Sequence, residues 1–383
     1  MRRYLALSAL AVIAALALAQ ASAKPKPSAS ENGTSLPSKA TADSFMRHMF
    51  GYETNVAWTI TGIKPSEAPG IAEIDLTIKS AQNNGERKLF VLAGHKQAMA
   101  GNLAPFPGEG ARPSDTAINS FVRQMIGGTN PAITWTIADV KPHAVSDLTQ
   151  VVVLVNTPQG RGPVAFLVTA DGKHALMGEL IPFAADPFAA NRTKLQKGIN
   201  GPSRGPANAP VTIVEFADLQ CPACKAALPV IQKLLADAPS ARFVFQQFPL
   251  TQMHHWAFAA AEYGECVHRE NPAAFWKFLE AVYGAQEQLT ADTNNTEDAG
   301  KKATAKLQAL AAAAGVDGQK VAACANQPAT AERVKQSVEL GKEMEITGTP
   351  TLFIGGRRIS NLGQLPPEQL KKIADFMATQ QAK

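Results

Sequence analysis

The sequence lacks a strong excess of charge of either sign. Its 37 Lys and Arg residues stand against 32 Asp and Glu residues, which leaves a net charge of +5 at pH 7. It also lacks a basic stripe interleaved with aromatic residues, so nucleic acid is not an expected partner. After Ala23 no apolar run approaches the ~17 residues that a membrane-spanning helix needs. These absences point away from a nucleic-acid-binding protein and from a membrane-embedded body.

Cysteine is scarce as well, with four residues in the whole chain. None lies near the N-terminus, so a lipid-anchored form is not indicated. An all-cysteine zinc site would need Cys266 and Cys324, which are isolated in predicted helices, unlike the paired ligands of zinc modules. We therefore expect no metal and no cofactor. We interpret Cys266 and Cys324 as a structural disulfide, with two free buried thiols as the alternative, because spacing alone does not fix a pairing.

The first residues have the pattern of an export signal. Two arginines precede an almost wholly apolar run that ends at Ala19, and Ala21-Ser22-Ala23 is a small-x-small triplet. This pattern predicts a signal peptide over residues 1–23 that is cleaved on export. The alternative is a permanent membrane anchor, which the triplet and the polar residues after it disfavour. We expect a periplasmic or otherwise exported protein, in a compartment where disulfides persist.

Shifts in composition predict the order of domains after the signal. Residues 24–40 are polar and are expected to form a disordered tether. Two α+β repeats follow at 41–107 and 114–184, and the segment 185–207, rich in proline, glycine and asparagine, is a predicted linker. The remaining part, 208–380, alternates strand and helix patterns and is predicted to form an α/β domain.

The two repeats are recognised by matching residues at a fixed displacement. Trp58-Thr59-Ile60 recurs 77 residues later as Trp135-Thr136-Ile137, and the same displacement aligns Gly101 with Gly178. Each copy is predicted to form a short helix followed by about four strands. Two such modules can bury their sheets on each other. Their histidines are expected at the surface rather than in a metal site: His48, His95, His143 and His174.

The strongest chemical motif is Cys221-Pro222-Ala223-Cys224, between a predicted strand and a predicted helix. At the N-terminus of a helix, unpaired backbone N–H groups and the helix dipole stabilise a thiolate on the first cysteine. The second cysteine lies one turn further along the same face, close enough to form a disulfide. We predict that Cys221 is the attacking nucleophile and Cys224 the resolving thiol in thiol–disulfide exchange. The alternative is a purely structural disulfide.

A second motif is Thr349-Pro350, which follows Gly348 at the start of a predicted strand. Proline at this place fits a cis peptide bond. Such a bond would turn the backbone of Thr349 outward, where its N–H and C=O could pair with an extended substrate. The alternative is an ordinary turn before the strand.

Four segments in order carry a resemblance to a known family: GPANAPVTIVEFADLQCPAC, FVFQQFPL, the alanine-rich helix that ends at Cys266, and GTPTLFIGGRRI. Over about residues 200–380 they resemble the DsbA-like thiol–disulfide oxidoreductases of the thioredoxin superfamily. The resemblance implies an α/β protein whose thioredoxin fold carries a helical domain inserted at 251–345, preceded here by the tandem α+β modules. It implies that Pro350 is the cis-proline of the superfamily.

The same resemblance assigns a role to Glu215, six residues before the first cysteine of the motif. It implies a buried carboxylate beneath the active site that relays the proton of Cys224, provided that desolvation raises its pKa towards neutrality. His254 and His255, which follow the FPL segment, are expected to be surface residues at the start of a helix. The segment TADGKHALMGELIPF resembles the end of the dimerisation module of periplasmic disulfide isomerases, which implies a dimer or an intrachain pseudo-dimer through the repeats.

These expectations define a function and its alternative. The first is an exported enzyme that exchanges disulfides with protein substrates carrying cysteines or disulfides, with a redox partner at the membrane and with the oxidase or isomerase direction open. The alternative is a ligand- or partner-binding protein, in which the repeats bind and the CxxC pair is a dedicated reductant or redox clamp for one partner.

Overall fold

The computed structural model describes residues 36–80, 84–127, 132–143, 147–157, 160–184, 186–359, 362 and 365–381. The predicted signal peptide and most of the predicted tether lie outside these residues. The chain divides into two compact units, one that ends at Pro187 and one that begins at Phe188. Within the described ranges, no helix combines the length and the apolar character needed to cross a membrane.

The first unit contains the same order of elements twice, a helix followed by four antiparallel strands. The first set is α1 (Lys39–Phe50), β1 (Ala57–Pro65), β2 (Ala72–Lys79), β3 (Asn84–Val91) and β4 (Gln97–Pro105). The second set is α2 (Asp115–Val122), β5 (Thr134–Pro142), β6 (Thr149–Thr157), β7 (Gly160–Val168) and β8 (His174–Pro182).

A serine begins each of the two helices of this unit. Ser38 and Ser114 each accept a hydrogen bond from the backbone N–H three residues later, at 3.1 and 3.2 Å. Each bond satisfies a donor that the first helical turn leaves unpaired. Helix α1 then buries Phe45 against the first set of strands, and α2 buries Phe121 against the second set. Each half therefore has its own apolar core beneath its own helix.

The two halves form one eight-stranded sheet, in the order β1-β2-β3-β4-β8-β7-β6-β5. Strands β4 and β8 pair antiparallel, and Gly101 lies opposite Gly178. The modules pair edge to edge, because strands β4 and β8 hold backbone groups that satisfy one another. A further apolar cluster contains Phe90 and Met99 of the first set of strands together with Leu167 and Leu176 of the second, so apolar side chains of the two modules are also buried against one another.

Gly101 is expected to be indispensable to this pairing. A Cβ atom there would lie 1.9 Å from the carbonyl oxygen of Met177. We expect Gly101→Val to lower the free energy of unfolding by about 3 kcal/mol, as measured by urea denaturation. Gly162→Val is the matched control, because Gly162 lies in β7 of the same sheet with no atom within 4 Å of its ideal Cβ. Equal stability of the two variants would contradict the close approach.

The second unit holds the remaining elements. They are α3 (Ala189–Gly198), β9 (Ser203–Arg204), β10 (Thr212–Ala217), α4 (Pro222–Asp237), β11 (Arg242–Gln247), α5 (Ala257–Glu270), α6 (Pro272–Thr293), α7 (Ala299–Ala313), α8 (Gly318–Ala325), α9 (Pro328–Glu343), β12 (Thr351–Ile354), β13 (Arg357–Ile359) and α10 (Pro367–Gln381). The sheet order is β13-β12-β10-β11-β9, with β10 and β11 parallel and the other pairs antiparallel. Helices α5 to α9 enter between β11 and β12, so the thioredoxin fold and its helical insertion are confirmed.

Strand β10 occupies the middle of this sheet and carries the chain into the site. Val214 and Phe216 pack in an apolar cluster with Phe353 of β12, and the strand is buried along almost its whole length. Because β10 is covered on both faces, its sequence, TIVEFA, is mostly apolar. The strand ends at Ala217, and the turn that follows places Cys221 at the start of α4.

The segment 185–207, expected to be a linker or a lead-in strand plus loop, contains strand β9 and also helix α3, which was not expected. Helix α3 has only one buried residue, Leu195, which packs in a cluster with Leu340 of α9. Its Arg192 donates to the carbonyl oxygen of Gly355 at 3.1 Å, in the two-residue turn between β12 and β13. The helix was missed because tertiary contacts, rather than an apolar periodicity of its own, hold it in place.

Candidate active site

The two cysteines of the CxxC motif lie where the sequence predicts, at the start of α4. Cys221 is the N-cap residue, Pro222 is the first helical residue, and Cys224 lies inside the first turn. Both cysteines are free thiols in this structure. Cys221 is 6% exposed and Cys224 is 1% exposed. An incoming sulfur therefore has better access to Cys221.

The surroundings shift the pKa values of the two thiols in opposite directions. The pKa of Cys221 is lowered from 9.0 to about 5, first by a hydrogen bond from Cys224 and then by Thr349 and by the backbone N–H groups of Cys224 and Ala223. Burial raises the pKa of Cys224 well above its usual value, and the neighbouring Cys221 raises it further. At neutral pH the pair is therefore a Cys221 thiolate beside a Cys224 thiol.

The loop before β12 forms the wall opposite Cys221. The Thr349–Pro350 peptide bond is cis, and the sulfur of Cys221 lies 3.5 Å from the carbonyl oxygen of Thr349. The hydroxyl of Thr351 donates to the carbonyl oxygen of Gly348 at 2.8 Å, which closes the turn. The structure thus brings together the two motifs that lie 128 residues apart in the chain.

Glu215 lies on β10, below the cysteines, and is 5% exposed. Burial raises its pKa from 4.5 to about 8, against the opposing positive charge of Arg204. Its carboxyl group, Cys224 and Tyr283 line a cavity of about 20 Å³, which has the size of one water molecule. Glu215 therefore keeps its proton at neutral pH, with Cys224 as a neighbour.

Two functional residues were not identified from the sequence: Asp218 was not noticed, and His254 was expected at the surface. The latter expectation is wrong, because the side chain of His254 is 15% exposed and its Nδ1 lies 2.7 Å from Oδ2 of Asp218, whose side chain is fully buried. His255 is also half-buried. One signal could have revealed Asp218, namely a second carboxylate midway between Glu215 and Cys221 in a buried stretch that is otherwise uncharged.

Asp218 organises the turn that leads to the first cysteine. Its carboxylate accepts hydrogen bonds from the backbone N–H of Gln220 at 2.7 Å and of Leu250 at 2.8 Å, besides that from His254. Its carbonyl oxygen accepts from the N–H of Cys221 at 3.1 Å. Its own N–H donates to the sulfur of Cys224 at 3.5 Å. Asp218 thus connects both cysteines to the segment before α5.

The helical insertion supports the same turn from the other side. The side-chain amide of Gln286, on α6, donates to the carbonyl oxygens of Leu219 and Cys221 at 2.9 and 3.1 Å. The side chain of Gln220 accepts from the N–H of Trp256 at 2.8 Å. Buried amide groups of this kind fix a turn, because leaving any of them unpaired costs free energy.

Cys266 and Cys324 are not part of the CxxC turn. They form a disulfide with a Cα–Cα distance of 5.9 Å, which joins α5 to α8 within the insertion. Among the residues that the structure describes, no group of three or more His, Cys, Asp and Glu side chains is placed to hold a metal ion.

Comparisons with known proteins concern the same part of the chain. A family model described as thioredoxin matches residues 197–375. Disulfide bond formation protein D of Bacillus subtilis is 30% identical over 175 residues, which cover 43% of this chain and 73% of that protein. The structure of oxidised BdbD from Bacillus subtilis matches with 26% identity and a TM-score of 0.40, over 48% of this chain and 94% of that chain.

A second group of similar proteins is much longer. Na(+)/H(+) antiporter NhaA 3 of Salinispora tropica is 34% identical over 155 residues, which cover 40% of this chain. The chain spans only 22% of the length of that antiporter. The similarity is therefore to one segment of a larger protein.

Proposed function

Because the chain belongs to the DsbA-like thiol–disulfide oxidoreductases of the thioredoxin superfamily, we propose that it is an exported enzyme that exchanges disulfides with protein substrates through Cys221 and Cys224. Membership of this family accounts for the coarse activity, disulfide oxidoreduction. The export signal pattern over residues 1–23 supports a location outside the cytoplasm, where substrate disulfides persist.

The direction we propose is oxidation of substrate dithiols. The observation that carries it is the pKa of about 5 for Cys221, at the N-cap of α4. A stabilised thiolate lowers the free energy of the reduced pair relative to the disulfide, and it also makes Cys221 a good leaving group. The Cys221–Cys224 disulfide is therefore easily reduced, so the protein oxidises thiols with higher pKa values.

The reaction proceeds in two exchange steps. A substrate thiolate attacks the sulfur of Cys221, the disulfide bond to Cys224 breaks, and a mixed disulfide forms. Cys224 leaves with the electron pair and takes a proton, which the neutral carboxyl group of Glu215 supplies. A second substrate thiolate then attacks the substrate sulfur, which forms the substrate disulfide and releases Cys221 as a thiolate. Two electrons pass from the substrate to the pair.

The cis-proline loop receives the substrate backbone. The carbonyl oxygen of Thr349 lies 3.5 Å from the sulfur of Cys221, so a peptide bonded to Cys221 passes beside it. An extended segment can pair with main-chain groups there without reading side chains, which suits a broad range of protein substrates. After each turnover a redox partner, proposed at the membrane, takes the two electrons and restores the disulfide.

We propose that the first unit acts as a pseudo-dimer within one chain. The support is the antiparallel pairing of β4 with β8 centred on Gly101 and Gly178, two glycines that occupy matching positions of the repeats. Two modules joined in this way present one continuous sheet, which we propose as a platform for substrate proteins.

A defined substrate tests the proposed direction. The oxidised protein should remove the thiols of reduced, unfolded ribonuclease. Cys224→Ala has no active-site disulfide, so its Cys221 thiolate can form a mixed disulfide only by attacking a disulfide of oxidised, scrambled ribonuclease, and this linked species should accumulate because the resolving thiol is gone. The control is the same variant with Cys221→Ser added, which should form no linked species. The oxidase direction is wrong if the oxidised protein leaves the ribonuclease thiols unchanged although ordinary reducing agents reduce its Cys221–Cys224 disulfide.

A further inference from the structure

The pair formed by Asp218 and His254 has no role in the two exchange steps described above. Nδ1 of His254 lies 2.7 Å from the buried carboxylate of Asp218. A carboxylate removed from water is costly unless it is paired and hydrogen-bonded, and Asp218 is both. The hydrogen bond and the charge of Asp218 raise the pKa of His254 above 6.5. Asp218 therefore favours the protonated form of His254 and fixes the imidazolium in place.

This cation belongs to the surroundings of the reactive sulfur. Asp218, which holds it, also accepts the N–H of Cys221 at 3.1 Å and donates to the sulfur of Cys224 at 3.5 Å. The charged groups that act on the imidazole in the described part of the chain are the Asp218 carboxylate and the Cys221 thiolate. The other side chains that tie this turn to the insertion, Gln220, Gln286 and Asn295, are uncharged.

The CxxC motif itself supplies no charge to the thiolate. Pro222 has no N–H to donate, and Ala223 contributes only its backbone N–H. Any positive charge near Cys221 therefore comes from outside the motif. His254, in the segment between β11 and α5, carries such a charge when it is protonated.

We propose that the imidazolium of His254, fixed by Asp218, stabilises the Cys221 thiolate and thereby makes the Cys221–Cys224 disulfide easier to reduce. The inference rests on the proposed function, since it concerns how easily the Cys221–Cys224 disulfide is reduced. His254 acts through the charge of Cys221, so it is a positioning residue. One consequence concerns pH: as the pH rises through the pKa of His254, the imidazolium loses its proton and the thiolate loses this support.

The test is the pH dependence of alkylation of reduced Cys221 by iodoacetamide, measured on the full chain. In the wild type the rate should follow a midpoint at about pH 5. His254→Gln should raise the midpoint by about one pH unit, and should lower the equilibrium constant for oxidising glutathione roughly tenfold. His254→Lys keeps a positive charge and should restore both values. His255→Gln is the matched control on the neighbouring residue and should change neither.

The outcomes separate this inference from the proposed function. A wild-type midpoint near pH 5 that His254→Gln leaves in place would overturn the role of His254 and leave the oxidase proposal standing. Equal upward shifts in His254→Gln and His254→Lys would show that the shape of the imidazole matters and its charge does not, which also overturns the inference. A wild-type midpoint near pH 9 would instead defeat the proposed function. Should His254→Gln fail to fold by circular dichroism, the equilibrium constants of wild type and His254→Lys, compared across the ionisation of His254, decide, because the lysine keeps its charge where the imidazole loses it.

Discussion

Cys221→Ser is expected to reduce disulfide exchange to the rate of the uncatalysed reaction. The thiolate is the attacking species, and a serine hydroxyl is neither ionised at neutral pH nor able to form the mixed disulfide. The measurement is the oxidation of reduced ribonuclease, followed by loss of free thiols. Circular dichroism and the unfolding midpoint should remain close to those of the reduced wild type, because the replacement is nearly isosteric.

The second pair of cysteines provides the matched control for this experiment. Cys266→Ser with Cys324→Ser removes the disulfide that joins α5 to α8. We expect exchange activity to remain, while the free energy of unfolding falls by about 4 kcal/mol for a loop of this length. Full activity of Cys221→Ser would contradict the account and favour a binding protein in which the CxxC pair is accessory.

Glu215→Gln is expected to stabilise the protein in alkaline solution. The pKa of Glu215 is about 8 in the folded chain against 4.5 for the ordinary side chain, so the unfolded chain loses this proton at lower pH than the folded chain does. The carboxyl group therefore favours folding fully below pH 4.5, and its contribution is progressively lost as the pH rises towards 8. Glutamine does not ionise and avoids that loss. At pH 9 the free energy of unfolding of Glu215→Gln should therefore exceed that of the wild type by on the order of 4 kcal/mol.

Urea denaturation of the reduced protein between pH 4 and pH 9 measures this effect. Wild type and Glu215→Gln should have similar stability at pH 4 and diverge above pH 5, with the variant the more stable. Glu262→Gln is the control: burial raises the pKa of Glu262 to about 7, but the residue is only half-buried, so the divergence should be smaller. A Glu215→Gln variant that is no more stable than the wild type at pH 9 would show that the carboxyl group is solvated.

Glu215→Gln should also lose the change in exchange rate that accompanies the ionisation of Glu215 in the pH–rate profile. In the wild type, the neutral carboxyl group supplies a proton to Cys224 until it ionises near pH 8. Glutamine cannot supply this proton, so the release of Cys224 should become slow across the whole range rather than above pH 8 alone. The loss of a destabilising ionisation and the loss of a proton donor are thus two readouts of one buried group.

The site was predictable from the sequence where local rules decide its geometry. A CxxC motif after an apolar strand places the first cysteine at a helix N-terminus, because the strand must end and the helix must begin there. The two-residue turn at Gly355 and Gly356 follows from two residues with positive φ, 58° and 85°, between short β-rich runs. These features depend on neighbours in the chain, which a pattern can reveal.

Features that depend on distant contacts were not predictable. Asp218 and His254 meet across 36 residues, and neither residue has a neighbour in sequence that indicates the other. Helix α3 buries a single residue, so no apolar period marks it. The edge-to-edge pairing of the repeats was missed for a similar reason, since hydrophobic patterning identifies which face of a strand is buried but does not identify which edge it pairs through.

Titration of the reduced protein by thiolate absorbance tests the central claim most directly. The account predicts one ionisation at about pH 5, absent in Cys221→Ser, with no further thiolate appearing until strongly alkaline pH because Cys224 retains its proton. A single step near the ordinary pKa of 9.0, or two cysteines that ionise together, would contradict it.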